Sequence, residues 1–541
     1  MQLIKKASKE KLRGGFYTPE PIASFVMKWA INGNKKFDIL EPSCGDGVFL
    51  EAIQKGNYKY KSVTAIEYDE IEANKSKQIK LVKSNVIHSD FHKYCINTKQ
   101  KFDIVVGNPP YIRYQYFDKK QQKYASEIFL KANLKYSKLT NAWVSFVVGS
   151  SLLLKEKGKI GFVLPAEILQ VSYAQTLREF LAHFYNKINI VSFEKLVFPD
   201  IQQEVVLLLC EKNGSNTHLI EHLELSDAEA LAKLDVSKLK SPKKRIDFKS
   251  NKWTFYFLDQ NEIDFLEKFQ EEQIIKKFGA YAKVEVGITT GANPFFTVPL
   301  STVQFYNMEK YAKPLVGRSV QVPSIIFTKK DWNKNRANEA RTHLLTFPQI
   351  SDLKGDISVL DYITWGEEEK VNEGYKCGIR DEWQIVPSLR ISEALFIRRN
   401  NLYPKLIINE AKAYTTDTMH RVTVKSNTKL EALTASYYNS LSFAFSEICG
   451  RSHGGGVLEL MPNEVEEILL PYNENNAELL PVIDKMIRAK KDISEILKIT
   501  NDKILKDNFG FSDSEIELAD SIWKKLSKRR LNRGKKLKNK L

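Results

Sequence analysis

Phe37-Asp38-Ile39-Leu40-Glu41-Pro42-Ser43-Cys44-Gly45-Asp46-Gly47 is a short apolar run that breaks into a glycine-bearing turn. Two glycines in a tight strand-to-helix turn let backbone N–H groups come close to a ligand. A dinucleotide fingerprint would need a third glycine at position 50, where Leu50 stands. The turn therefore does not read as a pyrophosphate cradle. Glu67 lies 20 residues after Gly47, at the end of the next apolar run. An acid at that spacing can accept both hydroxyls of a ribose. Turn and acid together favour a nucleoside cofactor over a plain loop.

Outward from this turn, apolar runs predict strands at Phe37–Glu41, Ser62–Glu67, Phe102–Val106, Lys159–Leu164 and Val205–Cys210. Amphipathic helices separate them. Ile22, Val26, Trp29 and Ala30 fall on one face of the first, with Thr18 as its expected N-cap ahead of Pro19 and Glu20. The run Ala142–Leu154 is too short for a bilayer and reads as a buried helix. Such alternation predicts an α/β domain with a mostly parallel sheet and ligands at the C-terminal strand ends. Residues 238–253 are polar and basic and read as a linker. Beyond them an α+β region is expected to Tyr472, then a helical segment from 473. This sets domains at 1–240, 250–472 and 473–541.

Phe102-Asp103-Ile104-Val105-Val106-Gly107-Asn108-Pro109-Pro110-Tyr111 carries the chemistry. A buried strand delivers Asn-Pro-Pro-Tyr to its C-terminal end. The prolines remove backbone donors and stiffen the turn, leaving the Asn108 side-chain carbonyl and the Pro109 carbonyl as oriented acceptors. Two acceptors on one NH₂ hold its hydrogens and aim its lone pair at an electrophile. For a conjugated, weakly nucleophilic nitrogen, aiming matters more than deprotonation. Tyr111 offers a face for a planar substrate. In Ser89-Asp90-Phe91, Asp90 can accept from an adenine amino group while Phe91 packs beside the ring. Alone, those three residues read better as a surface turn.

These segments resemble the TaqI-like, gamma-class N6-adenine DNA methyltransferases. Gly15-Phe16-Tyr17-Thr18-Pro19 is similar to their upstream cofactor motif, Glu41–Gly47 to their Gly-rich motif, and Asn108–Tyr111 to their catalytic motif. The resemblance implies a Rossmann-like S-adenosylmethionine-dependent methyltransferase domain with a C-terminal DNA-recognition domain. It implies cofactor contacts at Tyr17, Thr18, Glu41, Ser43, Gly45, Glu67, Asp90, Phe91, Asn108 and Phe146. Asn108, Pro109, Tyr111 and Phe198 would handle the target base, Tyr111 and Phe198 by stacking. Only 17 residues separate Asp90 from Asn108, which leaves no room for an inserted recognition domain. Val286–Asn293 and Arg451–Leu458 are similar to recognition-domain segments. Their glycines read equally as DNA-approaching backbone or as loop glycines, and Arg451 as a phosphate contact.

The resemblance implies double-stranded DNA as partner, a cognate restriction endonuclease as a possible second, and no metal. The formal net charge of +16 permits nucleic acid without requiring it. Ten of those charges fall in 521–541, which has no acid and reads as a solvated, mobile tail. The charged N-terminus and absence of a long apolar run suggest a cytoplasmic protein without membrane attachment. Five scattered cysteines without CxxC spacing argue against a structural metal. Rival readings are a cytosine-N4 methyltransferase, a protein-glutamine methyltransferase and a non-catalytic DNA-specificity subunit. A further rival makes Glu410-Ala411-Lys412 half of a nuclease site. The recognised sequence and the oligomeric state are not encoded legibly.

Overall fold

The computed structural model describes residues 17–538, apart from 32–34, 114–115, 138–139, 196, 199–203, 237–238, 240–242, 249–251, 272–273 and 454. The chain forms two compact units that divide between Ile263 and Asp264.

The N-terminal unit is built on a nine-stranded sheet. Its elements are α1 (Glu20–Ala30), β1 (Phe37–Glu41), α2 (Val48–Lys55), β2 (Tyr60–Glu67), α3 (Glu70–Gln78), β3 (Ser84–His88), α4 (Phe91–Asn97) and β4 (Phe102–Gly107). Then follow α5 (Lys119–Lys131), α6 (Ala142–Leu152), β5 (Leu154–Pro165), α7 (Gln175–Phe184), β6 (Lys187–Phe193), β7 (Val205–Glu211), β8 (Leu219–Leu225) and β9 (Lys244–Arg245). The spatial order is β3-β2-β1-β4-β5-β7-β6-β8-β9. From β3 to β5 every pair is parallel. The strands β1, β4 and β7 are buried almost throughout, as central strands covered on both faces must be.

The predicted strands are all present, and β3, β6, β8 and β9 are added to them. β7 runs antiparallel to both β5 and β6, which makes the sheet mostly rather than wholly parallel. A continuous apolar run shows that a strand is buried but carries no information on its direction. Helix α1 starts on Pro19 rather than Thr18: the Pro19 carbonyl accepts from the Ile22 and Ala23 N–H groups, and no side chain caps the end. Thr18 is buried instead. Helix α6 is buried from Ala142 to Ser151, as its composition requires.

Within the stretch read as a linker, Lys244 and Arg245 are part of the sheet. β9 pairs with β8, and Lys244, 7% exposed, donates to the Tyr256 carbonyl and pairs with Glu221. Trp253 is buried next to it in sequence. Hence the first unit extends past residue 240 to Ile263.

The C-terminal unit is α+β. One antiparallel sheet orders Ala282–Val286, Met419–Val424, Ala394–Ile397 and Leu406–Ile408. A second four-stranded sheet, a three-stranded sheet and a set of helices complete it among the described residues, the last helix being Asp513–Lys538. No helix of the described residues is long and apolar enough to cross a membrane.

Residues 521–538 of the expected mobile tail belong to that last helix; 539–541 lie outside the described residues. Ile522, Trp523, Leu526 and Ser527 are buried, and Arg530 is 1% exposed. Arg530 pairs with the equally buried Glu447 and donates to the Asn401 and Gly456 carbonyls. Cationic residues interleaved at helical spacing with apolar ones made a packed helix look like a solvated end.

Candidate active site

In an open α/β sheet a ligand crevice forms where neighbouring strands send their connections to opposite sides. Here that point lies between β1 and β4: β2 and β3 continue on one side, β5 on the other. Both singled-out turns leave the C-terminal ends of these two adjacent strands. They meet directly, since the Ser43 hydroxyl donates to the Asn108 backbone carbonyl at 3.2 Å. A methyl group built on Gly107 would stand 3.4 Å from Pro42 and 3.8 Å from the Glu41 side chain.

The Gly-rich turn is braced from three sides. Cys44 N–H donates to the Ile66 carbonyl, and Gly45 N–H donates to Glu67 Oε2 at 2.8 Å. The buried Ser76 hydroxyl donates to the Gly45 carbonyl at 2.7 Å. Gly45 (φ +54°) and Gly47 (φ +99°) need the left-handed region for different reasons. A Cβ on Gly47 would collide with Ile79 and Ser76, whereas one on Gly45 would meet nothing within 4 Å. The first glycine therefore faces open space and the second closes the turn against α3.

Three carboxylates converge here. Glu67 also accepts from Asp69 N–H at 2.8 Å; burial raises its carboxyl above the usual range, partly offset by these N–H groups. Glu41 is 2% exposed, and its Oε2 is buried without a hydrogen-bond partner. Burial, then the charges of Glu67 and Asp46, push its carboxyl well above the ordinary value. Tyr17 stands 57% exposed with its ring within electrostatic reach of Glu72 and Asp46; Gly15 and Phe16 lie outside the described residues.

Asp90 caps α4 through the Lys93 N–H and accepts from the Gln121 side chain at 2.7 Å. Although burial opposes its charge, His92 and Gln121 hold its carboxyl down at about 2. Phe91 and Phe146 stack on each other at 4.9 Å. The sequence reading missed His92, which joins all of these groups. It is 1% exposed, 2.7 Å from the Ser145 hydroxyl, 3.6 Å from Asp90, and edge-on to Phe146 at 4.7 Å. A histidine two places after an N-capping acid gives no sequence signal for this. Gln121 and Ser145 were equally silent.

On the far side, Tyr111 donates its hydroxyl to the Val163 carbonyl of β5 at 3.2 Å, and burial raises that hydroxyl well above the tyrosine range. Its ring packs against the cluster that contains Val197 and Phe198. Phe198 is 5% exposed in that cluster. Pro199 lies outside the described residues.

The other candidates belong to the C-terminal unit. Glu410 and Lys412 stand exposed on a turn held by Ala411 N–H to the Phe327 carbonyl. A Cβ on Gly287 would lie 2.0 Å from the Thr416 carbonyl oxygen, and one on Gly291 2.9 Å from Cys377. Those glycines serve close packing inside the C-terminal unit. Arg451 pairs with the buried Glu464 at 2.9 Å.

A mostly parallel sheet in the order 3-2-1-4-5-7-6, with a glycine turn braced by Glu67 and an Asn-Pro-Pro-Tyr turn meeting it at one switch point, is a Rossmann-like methyltransferase fold. Comparison with known proteins finds similarity in both parts of the chain. Residues 21–198 match the family described as Eco57I restriction-modification methylase, and residues 250–505 match the C-terminal domain of the type II methyltransferase M.Eco57I. The chain is 25% identical to the type II methyltransferase M.AccI of Acinetobacter calcoaceticus over 520 residues, 88% of this chain and 93% of that protein. With M.HincII of Haemophilus influenzae it shares 28% identity over 43% of each. In fold it is similar to the type IIL restriction-modification enzyme MmeI, solved in complex with DNA (TM-score 0.54, 13% identity, 91% of this chain and 73% of that one). Both parts of the chain thus point to the type II methyltransferases of restriction-modification systems, and S-adenosylmethionine is the cofactor.

The residues present fit that cofactor. Gly45 leaves space over the turn, Glu67 and Asp90 present carboxylates able to accept from a nucleoside's donors, and the buried Glu41 oxygen without a hydrogen-bond partner suits a cation.

Proposed function

We propose that the protein is a site-specific DNA methyltransferase that acts on the N6 amino group of an adenine flipped out of double-stranded DNA, within a restriction-modification or related DNA-marking system. The observation that carries this reading is the bond from Ser43 to the Asn108 carbonyl, which ties the amino-orienting turn to the cofactor turn. When bound, S-adenosylmethionine supplies a methyl group on a sulfonium, an already excellent leaving group.

The protein's part is positioning. Glu67 and Asp90 hold the ribose and adenine of the cofactor, with Phe91 and Phe146 behind them and Tyr17, Thr18, Glu41, Ser43 and Gly45 around its methionine end. The Asn108 side-chain carbonyl and the Pro109 carbonyl accept the two hydrogens of the target amino group and aim its lone pair. Tyr111 and Phe198 stack on the flipped base, returning about 1–3 kcal/mol per aromatic contact against a flipping cost of a few kcal/mol. Phe198 must turn a ring face out of its cluster to do so. The amino proton leaves to water during or after transfer. Residues 250–472 read the DNA sequence, and 473–541 support them. A cognate endonuclease is the expected companion.

The test is single-molecule sequencing of DNA from cells that express the protein. N6-methyladenine in one defined sequence context is the expected result. N4-methylcytosine in its place would overturn the choice of base, and no DNA mark at all would overturn the substrate.

A further inference from the structure

Three carboxyl groups, those of Glu41, Asp46 and Glu67, stand at the end of β1 and β2 without a basic partner for the deepest of them. Glu67 is anchored as an anion by the Gly45 and Asp69 N–H groups, and Asp46 is only half-buried. Glu41 is the exception, being 2% exposed with a buried Oε2 that meets no donor. The groups that face it are Glu67 at the end of β2, Asp46 in the turn and the Cys44 thiol beside it; no Lys or Arg of the described residues does. An isolated buried carboxylate costs several kcal/mol, and the remedy open to it is a proton.

We propose that Glu41 holds a proton in the free protein and releases it to solvent when the cationic cofactor binds, so that the site prefers the methyl donor to the demethylated product. The inference rests on S-adenosylmethionine as the ligand of this site. S-adenosylmethionine carries a sulfonium charge that S-adenosylhomocysteine lacks. A positive charge brought into this acidic, poorly solvated cleft favours the ionised form of Glu41, whose carboxyl burial and like charges otherwise keep neutral. Loss of the methyl group converts the sulfonium to a neutral thioether, and Glu41 then regains a proton from solvent. The same acid thereby strengthens donor binding and loosens the product. Affinity for the donor rises with pH, because binding expels a proton, until the free protein's Glu41 is itself ionised.

Isothermal calorimetry on the full chain, in buffers that differ in ionisation enthalpy, counts the protons. At neutral pH we expect release of about one proton per S-adenosylmethionine bound, with affinity rising about tenfold per pH unit below the raised Glu41 value. S-adenosylhomocysteine should release distinctly less. Glu41→Gln, a permanent neutral isostere, should remove the buffer dependence, flatten the pH profile and shrink the preference for donor over product by about tenfold. Buffer-independent heats in the parent protein, or an unchanged proton count in Glu41→Gln, would overturn the proposal. Should the variant not fold, infrared difference spectroscopy of the parent decides: the carbonyl stretch of a protonated carboxyl must vanish on addition of S-adenosylmethionine, and its persistence refutes the idea. Absence of any binding by either compound would instead overturn the cofactor assignment, a separate outcome.

Discussion

A methyl group built on Gly45, in the N-terminal unit, meets nothing within 4 Å; one built on Gly287, in the C-terminal unit, lies 2.0 Å from the Thr416 carbonyl. The two units treat buried charge with the same contrast. At the end of β1, Glu41 is buried with an unpartnered oxygen among acids. In the C-terminal unit Glu447, Glu459 and Glu464 each receive arginine, from Arg530, from Arg398 with Arg399, and from Arg451. The difference separates a surface prepared for a ligand from one already satisfied by its own chain. In the first, unfilled space and an unpaired acid await outside groups. In the second, Gly287 and the arginine-paired acids close the fold. A glycine-rich stretch or a buried acid is therefore a site signal only where its neighbours leave it incomplete.

The contrast can be broken most sharply at Arg530. Arg530→Ala leaves Glu447 buried without its cation and should cost about 3–5 kcal/mol of stability in denaturant unfolding. Replacing both partners by apolar residues should recover much of it. A truncation at Lys524 should behave like Arg530→Ala and not like the loss of a loose tail. A stable, fully folded truncation would show that the C-terminal pairs are dispensable.

Asn108→Ala acts on the other unit. Single-turnover methyl transfer should fall about 10²–10³-fold, as when an oriented hydrogen-bond partner of a transition state is removed, while calorimetric cofactor affinity stays close to the parent's. A rate within a few-fold of the parent's would remove Asn108 from its role.

The glycines make a matched pair. Gly287→Ala should destabilise by about 3 kcal/mol, the upper range for overpacking against rigid backbone, with cofactor affinity retained if the protein folds. Gly45→Ala pays only the left-handed penalty of about 1–2 kcal/mol yet should weaken cofactor binding. Equal stability losses and equal cofactor binding in the two variants would erase the distinction between the units.

The smallest effect is expected at His92. His92→Phe should raise the KM for cofactor by about fivefold, near 1 kcal/mol for a lost buried hydrogen bond, and leave kcat at saturation unchanged. His92→Gln, which can still donate to Ser145, should recover part of the loss. A fall in kcat with KM unchanged would mean that His92 does not act through Asp90 and Phe146.

The turns and their order were legible in the chain. The apolar runs at 37–41 and 102–107 end in Pro-containing or Gly-containing turns, and these are local signals: burial of a strand and the special backbone of a turn are set by adjacent residues. The resemblance supplied the roles of Glu67, Asp90 and Phe146. Strand β9 and the packing of the helix end from 521 onward were misread because polar and basic residues there cover apolar ones that pack elsewhere, as with Lys244 on Tyr256 and Arg530 on Glu447, although the helical reading from 473 holds. His92 was invisible because its meaning depends on Ser145, 53 positions away.

What the sequence by itself determined is thus five of the nine strands of the first sheet and the turns that leave them, for those follow from periodicity and turn residues within a few positions. Tertiary structure alone decided that β1 and β4 lie side by side, that β7 runs against its neighbours, and that Ser43 reaches the Asn108 carbonyl. It also decided that Glu41 would be buried beside two acids with no cation, while Arg530 would find Glu447. Partners of a buried group are chosen by where the chain folds back, and the free energy of that choice lies in contacts between residues tens of positions apart, to which local patterning is blind.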